Sequence, residues 1–272
     1  MARPSPPLSV LEAFNVSGPP VRLEGGQGSS WQVGNAVIKP LDEPLDLNEE
    51  ALAWQAEAFA SISCAGFRVS HPLRADDGLL VVDGWCAWEA VEGRHEERRW
   101  PEIIAVGERF HAALAGVPRP DFIALRADPW AIGDRVAWGE LPASEFAHVK
   151  HLTRLASVLR PVVARSQLIH GDLTGNVLFD DRLPPAVIDL AAYWRPPAFA
   201  SAIVVGDALL WEDADESVLR AVAHLEDFNQ YLLRALIYRA VTDSLFRPDE
   251  PIRPDDADPY LSAVELTCRL AP

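Results

Sequence analysis

The order of elements along the 272-residue chain predicts an α+β protein of two lobes. Short strand-like runs around one long helical pattern fill the first part of the chain, and mainly helical patterns follow from residue 101 onward. Strands and helices do not alternate regularly, as a parallel α/β sheet would require. The boundaries fall at 1–88 for a small β-rich lobe and 94–272 for a larger helical lobe, joined through 89–93.

Residues 1–7 are Pro-rich and read as a loose arm, and 8–16 read as a short helix. Strand patterns at 21–23 and 31–33 flank Glu24-Gly25-Gly26-Gln27-Gly28-Ser29-Ser30, and a Gly34-Asn35 turn leads into a third strand at 36–39. Glycines let backbone approach a phosphate closely, and Ser29 and Ser30 add hydroxyl donors. An ordinary hairpin loop shares this composition. Asp46 with Glu49 three residues on forms a capping box, opening a helix that carries Leu52, Phe59 and Ile62 to about Ser63. Strands at 67–69, 79–82 and 85–88 follow, the last running into Glu89-Ala90-Val91-Glu92-Gly93. The charge-dense stretch 94–99 reads as a solvated loop.

Pro101 opens a helix through Leu114 striped by Ile103, Ile104 and Phe110, with His111 read as a core or helix-surface histidine and not a ligand. Residues 121–140 hold Pro129, Gly133 and Gly139 without a clear period and are expected to be irregular. Residues 143–159 read as a helix that stops near Pro161. Late in the chain, 193–197 read as a loop, 198–211 as a buried helix containing Asp207, 226–246 as a long helix, 248–259 as a Pro- and Asp-rich loop and 260–270 as a closing helix.

The chemistry concentrates in LIHGDLTGNVLFDDRLPPAVIDL, residues 168–190. Two short apolar runs flank a polar loop, so that Asp172, Asn176 and Asp189 stand at strand ends in one compact unit. Phosphoryl transfer needs such a set: a carboxylate to accept the hydroxyl proton, which Asp172 supplies, and oxygen ligands for a hard cation such as Mg²⁺, which Asn176 and Asp189 supply. Each residue alone is also explained by turn chemistry or a solvated strand end.

HGDLTGN followed by VID resembles the catalytic loop and metal aspartate of the aminoglycoside phosphotransferase family, relatives of the protein kinases. The family pattern has four residues between the aspartate and the asparagine. Here only Leu173, Thr174 and Gly175 intervene. A Gly175 that accepts a tight turn is expected to absorb the difference. The sequence AVIK, ending at Lys39, is similar to the third-strand segment of kinases, and only Lys39 and Lys150 are lysines in this chain. The resemblance implies a two-lobed protein kinase-like fold and ATP or GTP with Mg²⁺ as cofactors. It makes Asp172 the catalytic base, and Asn176 and Asp189 the metal ligands. Lys39, paired with Glu57 in mid-helix, and the loop residues Gly25, Gly26, Gly28, Ser29 and Ser30 would hold the phosphates. Residues 89–93 resemble the hinge, with Glu89 and Val91 binding the nucleobase through their main chain. Asp207 resembles a structural aspartate that braces the catalytic loop, and His170 is read as a loop brace.

Composition narrows the partners. A formal net charge of −16 argues against nonspecific attraction to nucleic acid and leaves room for a cationic acceptor. No run reaches the length of a membrane span and the N-terminus lacks a secretory pattern, so a cytoplasmic location is expected. Cys64, Cys86 and Cys268 have no metal or disulfide spacing and read as buried hydrophobes. The expected function is Mg²⁺-dependent transfer of the terminal phosphoryl group of a nucleotide to a hydroxyl on a small molecule. The alternatives are a kinase-like nucleotide- or partner-binding protein without catalysis, for which the short loop speaks, and a kinase of protein hydroxyls.

Overall fold

The computed structural model describes residues 5–23, 28–41, 49–247 and 258–271. Gly25, Gly26 and the capping residue Asp46 lie outside the described residues. The chain forms two compact units, one of residues 1–95 with 178–189 and the other of 96–177 with 190–272. The segment 178–189 therefore packs with the β-rich part of the chain. Its strand Ala186–Val187 pairs in parallel with Arg68–Val69.

In the first unit, Val21–Arg22, Trp31–Val33, Ala36–Pro40, Trp85–Glu89 and Pro72–Leu73 lie side by side in that order, and Val81–Val82 also pairs with Trp85–Glu89. Every pairing in this sheet is antiparallel. Alternation along the strands sorts side chains onto two faces. Val33, Ala36, Ile38, Trp85 and Ala87 bury themselves against Val10, Leu11 and Phe14, three positions on or beside the helix Leu8–Ala13. Cys86 and Trp88 turn the other way, onto Leu80 and onto Leu52 of the helix Glu49–Ser61. Lys39 stands opposite Cys86 in register, so it shares that second face. Burial pushes the Cys86 thiol up to about 12, with Lys39 opposing, whereas Cys64 is exposed and not the buried hydrophobe expected.

The second unit is built on two buried helices, Pro197–Trp211 and Phe228–Phe246. Phe199, Ala202, Ile203, Val204, Val205 and Ala208 of the first are buried, as are Leu232, Leu233, Leu236, Ile237 and Val241 of the second. Full burial of a large apolar side chain contributes about 1.5–3 kcal/mol, which makes this pair the anchor of the unit. The helices Trp100–Leu114, Pro129–Ala137 and Pro259–Leu270 surround it.

Three expectations are corrected here. The stretch 121–140 holds two helices, Phe122–Leu125 and Pro129–Ala137. Pro129 sits in the first turn, where a missing N–H costs nothing, and Asp128 caps that turn by accepting from the Ala131 amide. The expected helix 143–159 is broken into a 3₁₀ turn, Ala143–Phe146, and a helix, Leu152–Ser157, separated at His151, whose φ is 65°. Residues Ala192–Arg195, expected as loop, form a strand antiparallel to Gln167–His170. No helix among the described residues is long and apolar enough to cross a membrane.

Candidate active site

The strand Gln167–His170 delivers the polar loop of the second unit, and two buried histidines fix it. His170 Nδ1 accepts from the amides of Asp172 (3.1 Å) and Ala191 (3.4 Å), so its proton sits on Nε2. The His170 amide in turn donates to His111 Nε2 at 3.0 Å. Burial, with the neighbouring His170 second, lowers His111 to about 3, so it stays a neutral acceptor at physiological pH. Gly171 must be glycine, because a Cβ there would lie 2.4 Å from the ring of Tyr193.

The loop closes in a tight turn. The Asn176 amide donates to Leu173 O at 3.0 Å, and Gly175 takes φ 81°, the value required at the third position of a type II turn. Asn176 is thereby folded back onto Asp172. Its Nδ2 donates to the Asp172 main-chain oxygen at 2.7 Å and to Asp172 Oδ2 at 3.3 Å. Its amide oxygen has no hydrogen-bond partner among the described residues.

Arg239, from the helix Phe228–Phe246, was not singled out by the sequence. Its Nε and Nη2 donate to the two carboxylate oxygens of Asp207 at 2.7 and 2.6 Å, and Nη2 also reaches Asp172 Oδ1 at 2.9 Å. The side chains are 9% exposed for Arg239 and 4% for Asp207 but 43% for Asp172, so a buried fork holds an accessible carboxylate. Burial works against the Arg239 cation, but Asp207, Tyr238 and Asp172 together hold its pKa well above the ordinary value. Burial pushes the Asp207 carboxyl up, and Arg239 opposes that push. Asp207 thus braces the loop through Arg239. The sequence signal for Arg239 is a charge amid the apolar run YLLRALIYRAV.

The first unit carries the remaining candidates. Lys39 Nζ lies 2.5 Å from Asp189 Oδ1 and 4.4 Å over the Trp88 ring. The expected Lys39–Glu57 pair is absent among the described residues. The helix Glu49–Ser61 turns Ala51, Leu52, Gln55, Ala58 and Phe59 inward, which leaves Glu57 on its exposed side. Gly28 has φ 64°, and its carbonyl is clamped by Arg22 Nε and Nη2 at 3.0 and 2.7 Å. The hydroxyls of Ser29 and Ser30 carry no hydrogen bond among the described residues.

In the 89–93 stretch the Glu89 amide donates to His71 O (2.9 Å) and its carbonyl accepts from Ser70 Oγ (2.7 Å). Val91, like Gly93, has no main-chain hydrogen bond among the described residues. No cluster of three His, Cys, Asp or Glu side chains is assembled among the described residues. Asp189, in the first unit, and Asn176, in the second, each offer an oxygen donor of the kind Mg²⁺ takes, since that cation keeps waters and phosphate in its shell.

No protein-family model matches the sequence, and no curated protein matches it. Solved structures do. A microcompartment-associated aminopropanol kinase superposes with TM-score 0.63 at 16% identity, covering 97% of this chain and 94% of that one. A thermostable mutant of an aminoglycoside phosphotransferase, in ternary complex with ADP and hygromycin B, superposes with TM-score 0.55 at 14% identity, covering 96% and 97%. A choline kinase from Streptococcus pneumoniae does so with TM-score 0.57 at 11% identity, covering 96% and 95%. This likeness shows the fold: the chain has the kinase-like architecture of the aminoglycoside phosphotransferases, as the HGDLTGN resemblance implied.

Proposed function

We propose that this chain is a phosphotransferase that moves the terminal phosphoryl group of ATP or GTP to a hydroxyl on a small molecule. The observation that carries this reading is Asp172. It is an accessible carboxylate on a braced loop, with Oδ1 held by a buried arginine and Oδ2 touched, among the described residues, only by the Asn176 amide. Such a group orients an acceptor hydroxyl and takes its proton as the new oxygen–phosphorus bond forms and the bond to the leaving diphosphate breaks. Little else is asked of it, because in phosphoryl transfer positioning and charge stabilisation supply most of the rate.

Lys39 would hold the phosphates, with Asp189 as its counter-charge and the amides and hydroxyls of Gly28, Ser29 and Ser30 beside it. Gly25 and Gly26 remain assigned to the same loop on sequence grounds alone. Val91 would bind the nucleobase through its main chain. Asp189 and Asn176 would hold Mg²⁺, which when bound neutralises phosphate charge. Glu57, exposed and away from Lys39, has no part in this reading. The net charge of −16 leaves room for a cationic alcohol as acceptor, the kind of molecule named for the aminopropanol and choline kinases of the same fold. The cytoplasm, where nucleotide and Mg²⁺ are available, is the expected location.

The test is a transfer assay with ATP or GTP and Mg²⁺ against a panel of amino alcohols, aminoglycosides and neutral polyols, read by mass spectrometry. Phosphorylation of an acceptor supports the reading. Nucleotide binding without transfer to any of them, and without hydrolysis, selects the noncatalytic alternative.

A further inference from the structure

The geometry points to Arg239 as a positioning residue that selects which oxygen of Asp172 meets the acceptor, an inference that rests on the phosphotransferase reading above. A carboxylate at the end of a side chain is a two-fold rotor with a broad torsional well, so its two oxygens are interchangeable unless something marks one of them. Arg239 marks Oδ1. Its Nη2 lies 2.9 Å from that atom, while among the described residues Oδ2 has only the longer Asn176 contact at 3.3 Å. Oδ2 is therefore the oxygen left to a hydroxyl.

Arg239 is itself held on several sides. Asp207, on the helix Pro197–Trp211, grips Nε and Nη2 as a fork, and the guanidinium lies 5.0 Å from the Tyr238 ring centre and 5.6 Å from that of Trp211. The position of the reactive carboxylate is thus referenced to the two buried helices of the unit. This matters because the loop is one residue short and turns through Gly175, around whose Cβ position there is open space. A loop with that freedom gains its definition from the fork behind it. Arg239 is too buried to touch an acceptor, so its effect passes through Asp172 alone.

A lysine retains the charge but presents one ammonium in place of the planar fork, so it can pair with Asp207 without bridging to Asp172 in the same geometry. In the full-length chain, Arg239→Lys should lower kcat for transfer, or for Mg·ATP hydrolysis if water is the acceptor used, by about 100-fold, the scale of a misplaced reacting group. The KM for ATP should stay within about threefold, because the nucleotide-binding residues are untouched. Rescue of kcat by Arg239→Lys would overturn the inference, since a role in stability alone needs only the charge. If that variant does not fold, Asp207→Asn with Arg239→Gln removes both buried charges together and should show the same split between kcat and KM; an unchanged kcat there would also overturn it. Should the wild-type chain prove inactive, the phosphotransferase reading fails, and the positioning claim is then judged on a crystal structure of whichever variant folds. A rotated Asp172 carboxylate supports it, and an unchanged Asp172 orientation refutes it.

Discussion

Arg239→Met removes the cation that faces Asp207 and leaves a carboxylate whose side chain is 4% exposed without its partner. Breaking one side of a buried ion pair typically costs about 3–5 kcal/mol, because the remaining charge keeps its desolvation penalty. Two charge-assisted hydrogen bonds to Asp207 are lost, each worth about 1.5–3 kcal/mol, or about 3–6 kcal/mol together, which overlaps that range. The exposed Asp172 adds little, since water replaces its contact. At about 2–4 °C per kcal/mol for a unit of this size, the melting temperature should fall by roughly 6–20 °C at neutral pH. The loss should depend on pH with a definite sign. Burial already raises Asp207 and Arg239 opposes it, so removing Arg239 raises the folded-state value further. A carboxyl raised in the folded state stabilises the fold when protonated, below its unfolded value, and loses that contribution as pH rises through the folded value. The gap between wild type and variant should therefore narrow on acidification, as Asp207 takes up a proton. Scanning calorimetry from pH 4 to 8 measures it, and adding Asp207→Asn should restore more than half of the loss. A deficit below about 1 kcal/mol that does not change with pH would refute the account of Asp207 as an anion held by Arg239.

Mg²⁺ with ATP at about 100 times the dissociation constant should stabilise the chain by ~2.7 kcal/mol in thermal unfolding, and Asp189→Ala should abolish the metal-dependent part while leaving any metal-free nucleotide effect. Gly175→Val should cost about 1–2 kcal/mol from backbone strain alone, because φ is 81° and a Cβ would meet no atom within 4 Å; Gly175→Asn, which tolerates that conformation, should retain more activity, and equal behaviour of the two would remove the turn from the argument. His111 is held at about 3, below its unfolded value, so its contribution is intact above pH ~6.5 and drains away as pH falls toward 3. His111→Gln, which keeps an acceptor for the His170 amide, should flatten the acid limb of the melting-temperature profile, and an unchanged limb would show that another group governs acid unfolding. Glu57→Ala, at an exposed position, should change stability by no more than about 0.5 kcal/mol and leave the KM for ATP unaltered.

The strands 31–33, 36–40 and 85–89 were legible because alternation and the Gly34-Asn35 turn are local signals, and the buried 197–211 and 228–246 helices because long apolar runs are too. Residues 121–140 look irregular in sequence because Pro129 has the form of a breaker, whereas Asp128 before it makes it a helix start. Glu57 was misplaced although the sequence held the correction. At about 100° per residue, a stripe through Leu52 and Phe59 puts position 55 inside and position 57 about 140° away from Leu52. The Ala192–Arg195 strand and the Lys39–Asp189 and Arg239–Asp172 pairings depend on partners far off in sequence, 150 residues for the first pair and 67 for the second, and no local pattern encodes them. The pattern marks His111 as a core or helix-surface histidine, and its role as acceptor for the His170 amide appears only when the two elements pack.

The most direct test of the central claim is transfer itself, with Asp172→Asn beside wild type on the same nucleotide and acceptor. The account predicts a phosphorylated acceptor from wild type and a kcat lower by about 10²- to 10⁴-fold in the variant, with nucleotide affinity by calorimetry nearly unchanged. Asp172→Asn turning over at the wild-type rate, or a wild type that binds ATP yet transfers to no hydroxyl, would contradict it.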